Sequence, residues 1–343
     1  MKIRSRNFGY YNNKEIKEYI LYNGNNLEVK IISLGATIKE IHYRGLNTVL
    51  GFENLESYVD SRTYFGALIG RVAGRISKGE ILIDGKEYKL SQNEGTSCLH
   101  GGYDGYSFKI WEYVDSIVGE DSVSLELSYA SPNLESGFPG EVVNRVKYTV
   151  DKNDTLSIEY FAKPSMDSPI TITNHSYFNL NGDFTKDILD HTLMIDAEEY
   201  IELDEKNLPI KVSKVEGTPF DFRSKKPIRK DMDLSHDQLR ESLGYDHPFI
   251  LNKPNEDPII LTSHKTGIQL RISTTEPVVI LYCSNNLKEG LTLLGGEKTI
   301  RYQGVCLETQ WYPDAINQQF LPNNIIKAGE EYYSNSIYKF SQI

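Results

Sequence analysis

The chain has 343 residues with 37 basic against 48 acidic side chains, a formal net charge of −11, and no basic cluster interleaved with aromatics; nucleic acid and anionic membrane surfaces are therefore poor partners. No run approaches the roughly 18 apolar residues of a membrane span, and the N-terminal Met1-Lys2-Ile3-Arg4-Ser5-Arg6 leads into polar residues instead of an apolar signal region. Three cysteines, Cys98, Cys283 and Cys306, lack C-x-x-C spacing and leave an odd one over, which fits a reducing cytoplasm better than a disulfide framework.

With 23 tyrosines, 26 glycines and many turn dipeptides, the chain favours strands over helices. Leu27 to Tyr43 alternates through Leu27, Val29 and Ile31, breaks at Gly35 and resumes at Ile38 and Ile41, predicting two strands around a turn. A short strand at Asn47 to Leu50 follows, then a polar loop through Glu53, Glu56 and Asp60. The glycine-rich segment Gly66 to Ile76 carries Arg71 and Arg75, either of which could offer a planar donor fork to hydroxyls or a carboxylate. It lacks the G-x-x-x-x-G-K-S/T pattern of a phosphate loop. Asp84-Gly85 between strand-like runs signals a type I′ hairpin. At Leu99-His100-Gly101-Gly102 a histidine is followed by two glycines, which allow close approach of a ligand.

Clean alternation through Val123, Leu125, Leu127 and Tyr129, then Val146, Tyr148 and Val150, then Leu156, Ile158 and Tyr160 predicts antiparallel strands with one buried face. Asp221 and Arg223, close in a turn, read as a local ion pair. Ser235 to Leu243 is the best helix candidate, with Ser235 as its cap. Late strands at Leu270 to Ile272, Val278 to Tyr282 and Tyr332 to Phe340 close the chain. Length alone suggests about two domains. With no linker or repeat in sight, the reading is instead one large all-β domain over residues 1–343, an antiparallel β-sandwich of two packed sheets with few short helices.

Two residues stand out against this apolar background. His175 follows the β-branched run Ile170-Thr171-Ile172-Thr173, where strand parity would set it in a row with Thr171, Thr173 and Tyr177, hydroxyls able to fix its tautomer. A lone strand histidine is more often structural than catalytic, so it needs a partner. Glu308, within Gly304-Val305-Cys306-Leu307-Glu308-Thr309-Gln310, is a carboxylate in a strand-like run, costly there unless hydrogen-bonded or put to use. Together the two supply one group to take a proton and one to give it near neutral pH.

Six segments in order make the chain resemble the aldose 1-epimerases, also called galactose mutarotases. They are G-R-V-A-x-R-I at Gly70 to Ile76, L-H-G-G at Leu99 to Gly102 and T-N-H-S-Y-F-N-L at Thr173 to Leu180, then G-T-P-F-D-F-R at Gly217 to Arg223, G-Y-D-H at Gly244 to His247 and G-V-C-L-E-T-Q at Gly304 to Gln310. The resemblance implies a galactose mutarotase-like sandwich that takes a free monosaccharide in an open cleft. It also implies that His175 is the general acid and Glu308 the general base, with Arg75, His100 and Asp246 holding sugar hydroxyls. Anomer exchange removes a proton from the C1 hydroxyl and delivers one to the ring oxygen, which calls for no cofactor and no metal.

The sequence departs from the usual pattern at Gly74, Ile280, Gly105-Tyr106-Ser107 and Trp311, where asparagine, glutamine, Gly-Phe-Asp and a smaller polar or imidazole group are common. These changes bear on the preferred sugar more than on the reaction. Three other activities fit the sequence less well. A hexose-6-phosphate epimerase would need more cations around the cleft, a binding-only sugar domain would not need the acid and base, and a glycosidase would use two carboxylates. His100, His175, His191 and His247 show no metal-ligand spacing.

Overall fold

The computed structural model describes residues 1–343, and its architecture follows from the alternating strands. Ser122–Ser131, Val142–Asp151 and Thr155–Pro164 form an antiparallel meander in register. It grows into a nine-stranded sheet by pairing with the C-terminal strand Tyr332–Gln342, then with Ile268–Thr274, Ile259–Thr262 and Thr192–Ile195. In Thr155–Pro164 burial alternates residue by residue, and Leu156, Ile158 and Tyr160 point into the core. A five-stranded sheet is built from the first 47 residues. A second five-stranded sheet runs in the order Pro209–Lys214, Glu199–Leu203, Asp246–Ile250, Val278–Tyr282, Cys306–Gln310.

Side chains alternate across that last sheet. Val279, Leu281 and Leu307 join a 55-residue core shared with the nine-stranded sheet, and Thr309 Oγ1 meets Ser336 Oγ of the C-terminal strand at 2.6 Å. The opposite face, with Asp246, Ile280 and Glu308, is left to line a cavity.

The turn at Asp84 and Gly85 has both residues at positive φ, as a type I′ hairpin requires. Three local expectations are corrected. The segment read as a polar loop contains a helix, Leu55–Ser61, which Asn54 caps by accepting from the Ser57 amide and which buries Leu55. The second helix, Asp237–Ser242, is capped by His236, because the Ser235 hydroxyl is engaged with Asp233 at 2.8 Å. The run before His175 is no continuous strand: Ser168–Pro169 and Thr173–Asn174 pair with different partners, and Thr171 forms a parallel bridge to Val72 between them.

Candidate active site

On the Cys306–Gln310 strand the parity of the pleat turns Cys306, Glu308 and Gln310 to one side. Glu308 lies opposite Ile280, and Ile280 opposite Pro248, so the floor of the cavity beside the carboxylate is apolar. Asp246 opens its strand two residues before Pro248 and pairs with Tyr282. His175 reaches the same place by a different route. Its amide donates to Ala67 O at 3.0 Å, its carbonyl accepts from Gly66 N at 2.9 Å, and Phe178 exchanges both backbone bonds with Val305, at 2.8 and 2.9 Å. That last pairing lays the segment alongside the start of the Glu308 strand and brings His175 Nε2 to 3.5 Å from Glu308 Oε1.

The expected row of hydroxyls around His175 is not present. Beyond Asn174 the chain leaves regular strand geometry, so the alternation lapses. Thr173 Oγ1 is buried without a partner, and Tyr177 OH donates to Thr63 O at 3.1 Å. The imidazole is held instead by the Tyr177 ring, stacked at 5.0 Å, by Tyr64 at 5.9 Å, and by Cys306 Sγ, 3.5 Å from Nδ1. A proton left on Nδ1 would point at that sulfur, a weak acceptor, and leave Nε2 for proton transfer.

The cavity is about 250 Å³, small beside the ~300–1,000 Å³ of sites for drug-sized ligands and suited to a single sugar ring. Arg75, His100 and Asp246 all line it with His175 and Glu308. His100 Nδ1 accepts the Gly74 amide at 3.2 Å, which puts the ring proton on Nε2 and makes this histidine a donor. Arg75 is held by a bidentate pair to Glu94, Nε to Oε2 at 2.5 Å and Nη2 to Oε1 at 2.8 Å. Arg71, four residues earlier, is fully buried and donates to Pro139 O and Ser131 Oγ, each at 2.7 Å, so it serves the fold. Asp221 and Arg223 form the expected local pair at 2.7 Å.

Burial, then the neighbouring Asp246 charge, push the Glu308 carboxyl up to about 8, while Arg75 pulls the other way. Burial lowers His175 to about 4 and holds His100 well below the ordinary imidazole value. Burial also raises Asp246, against the pull of Arg75.

Donor atoms of His100, His175 and Glu308 lie within 4.8 Å of one another. To ligate an ion, however, His100 would have to surrender either its Gly74 contact or its Nε2 proton, and the remaining two ligands fall short of the three that a catalytic zinc takes. His191 and His247 lie outside this group; His191 Nε2 accepts the Leu180 amide at 3.0 Å and His247 Nδ1 accepts the Asp246 amide at 3.1 Å. Glu94 and Tyr64 line the cavity without having stood out in the sequence, and Tyr177, expected beside His175, lines it as well. Nothing in the local pattern around Glu94 marks it, since a charged residue before glycine in a loop is ordinarily solvated.

The aldose 1-epimerase family model matches residues 17–339. A galactose mutarotase from Bos taurus is 39% identical over 323 residues, covering 92% of this chain and 91% of that protein. An aldose 1-epimerase from Haemophilus influenzae is 35% identical, covering 93% and 94%. Among solved structures, galactose 1-epimerase from Lactobacillus acidophilus superposes with a TM-score of 0.89 at 26% identity, covering 99% of both chains. An aldose epimerase homologue from C. elegans gives 0.86 at 30% identity, covering 94% and 98%. The fold is therefore the galactose mutarotase-like β-sandwich, and the family model and the epimerase relatives make the protein an isomerase. The chain belongs to the aldose 1-epimerase family.

Proposed function

We propose that the protein interconverts the α and β anomers of a free aldohexose such as galactose or glucose, with Glu308 as general base and His175 as general acid. Glu308 takes the proton of the C1 hydroxyl while His175 delivers one to the ring oxygen; the ring opens, the C1 carbonyl turns, and reclosure reverses both transfers. Arg75 and His100 donate to sugar hydroxyls and Asp246 accepts from them. A missing hydroxyl would leave one of these groups unpaired, which is a strong basis for selection.

The observation that carries this reading is the 3.5 Å approach of His175 Nε2 to Glu308 Oε1 in a cavity also lined by Arg75, His100 and Asp246. With Glu308 at about 8 and His175 at about 4, the pair holds one proton across the neutral range. With no sugar bound, the order of the two values, both set by burial, favours that proton on the carboxyl. Sugar hydroxyls donating to Glu308 stabilise its carboxylate and shift the proton to His175, with no change in the count. The reading takes residues 1–343 as one domain, supported by a core that draws side chains from Tyr19 to Phe340. It also places the protein in the cytoplasm, where its three buried, unbridged cysteines would stay reduced; no helix is long and apolar enough to cross a membrane.

The test is polarimetry of freshly dissolved α-D-galactose and α-D-glucose with wild type and Glu308→Gln. Wild type should speed the approach to equilibrium, and the variant should lose at least about a hundredfold of that effect. A wild-type rate equal to the spontaneous rate for both sugars would rule these substrates out, and a fully active variant would remove Glu308 from the base role.

A further inference from the structure

We infer that Glu94 is a positioning residue of this site, setting both the aim of the Arg75 guanidinium toward the sugar and the field that Arg75 exerts on Glu308, a role that rests on the epimerase reading for the sugar's location.

The loop bearing Glu94 is tied to the strand that meets Arg75. Leu99 pairs with Arg75, and Asn93 brackets Leu99 from both sides, accepting from its amide at 2.7 Å and donating to its carbonyl at 2.9 Å. Glu94 itself closes a small turn with Ser97. From this anchored loop its carboxylate accepts hydrogen bonds from Nε and Nη2 of Arg75 in a fork-to-fork pair. Arg75 makes no other hydrogen bond within the protein through its side chain, and that side chain is only 17% exposed. The Nη1 edge is thus the part of the guanidinium left for a ligand, and its orientation is fixed by Glu94.

Charge gives the second half of the role. The acidic groups that act on Arg75 are Asp246, Glu94 and Glu308. His100 and Tyr64, the other titratable groups beside it, are kept neutral by burial. Glu308 faces Asp246, Arg75 and His175, with the uncharged Tyr177, Tyr282 and Cys306 around them. Glu94 therefore offsets part of the only cation in the group. Without it, the full charge of Arg75 would fall on Asp246 and Glu308, favouring the Glu308 carboxylate and releasing the pair's proton at lower pH.

Three variants separate the two effects. Glu94→Gln keeps the size and removes the charge; Glu94→Asp keeps the charge on a shorter arm; Glu94→Ala removes the clamp. In sugar-free protein, the Glu308 carboxyl carbon can be followed by NMR against pH and assigned by its absence in Glu308→Gln. Its titration should move to lower pH in Glu94→Gln and return toward wild type in Glu94→Asp. In polarimetric kinetics Glu94→Ala should raise KM roughly tenfold with a smaller change in kcat, the scale of one charge-assisted hydrogen bond. In an Arg75→Ala background the same change should do little. An unmoved Glu308 titration together with an unchanged KM would overturn the inference, as would an equal Glu94→Ala loss with and without Arg75. Should wild type act on neither sugar, the substrate assignment fails separately, and the sugar-free titration still decides whether Glu94 acts on Glu308. Thermal melts followed by circular dichroism check that each variant is folded.

Discussion

Glu308 and His175 are shifted in opposite senses by the same cause, since burial penalises whichever form is charged: carboxylate for the one, imidazolium for the other. The pair therefore carries one proton over a wide window instead of ionising into a fixed ion pair. Below about 4 a second proton arrives and no base remains; above about 8 the last proton leaves and no acid remains. The expected outcome is a bell-shaped pH profile of kcat/KM, falling on the acid side near 4 and on the alkaline side near 8, both limbs belonging to the pair and not to single residues. An acid limb near 6.5, the value of an unperturbed imidazole, would show that His175 is wetted in the working protein. At this scale the sequence was informative about chemistry and silent about surroundings. His175 and Glu308 stood out as polar groups in apolar runs, but Cys306 and Tyr64, which help to hold the imidazole, looked like ordinary core residues, and Tyr177 was expected to act through its hydroxyl where it acts through its ring.

The elements that bring the pair together meet at Gly66. Its carbonyl accepts from the Ile38 amide and from Asn174 Nδ2, each at 2.8 Å, and its amide donates to His175 O at 2.9 Å. It has φ +65°, and an added Cβ would sit 1.8 Å from Ile38 O, so only glycine lets the Thr37–Tyr43 strand and the His175 segment close on each other. Gly66→Ala should cost at least about 2 kcal/mol in urea denaturation. It should also lower kcat more than KM, because it displaces His175 and leaves the Arg75 side of the cavity in place; an unchanged kcat in a folded variant would contradict this. The strands themselves were legible because burial on one face imposes a period of two: the meander from Ser122 to Pro164 and the turn at Asp84 and Gly85 match their patterns. What the patterns missed was short or irregular. The helix Leu55–Ser61 buries little beyond Leu55 and so leaves almost no periodic trace, and the His175 segment takes its shape from distant partners, Ala67 and Val305, which no local pattern names.

For the molecule as a whole, the cavity is a place where stability is given up. Two packed faces of strand supply the core, and the same sheet that buries Leu281 and Leu307 on one side holds a desolvated carboxyl on the other. In the unfolded chain Glu308 has an ordinary value near 4.5, and in the native protein it is raised to about 8. Between those two values the native state keeps a proton that the unfolded state has lost, so this group makes native stability fall as pH rises through the window, and above about 8 the penalty is constant. His175, lowered to about 4 from 6.5, acts in the opposite direction, removing stability as pH falls from 6.5 towards 4. Glu308→Gln is neutral throughout and escapes the carboxyl's penalty. Urea denaturation at a series of pH values should then find the inactive variant as stable as wild type below pH ~4.5 and progressively more stable above it, by on the order of 4 kcal/mol at pH 8. A difference that is flat with pH would mean that Glu308 is not desolvated in the native protein. A difference of opposite sign would mean that its carboxylate has native partners stronger than water. With the predicted sign, the residue proposed as base would be one whose removal strengthens the fold, as expected of a side chain kept for reaction and not for packing.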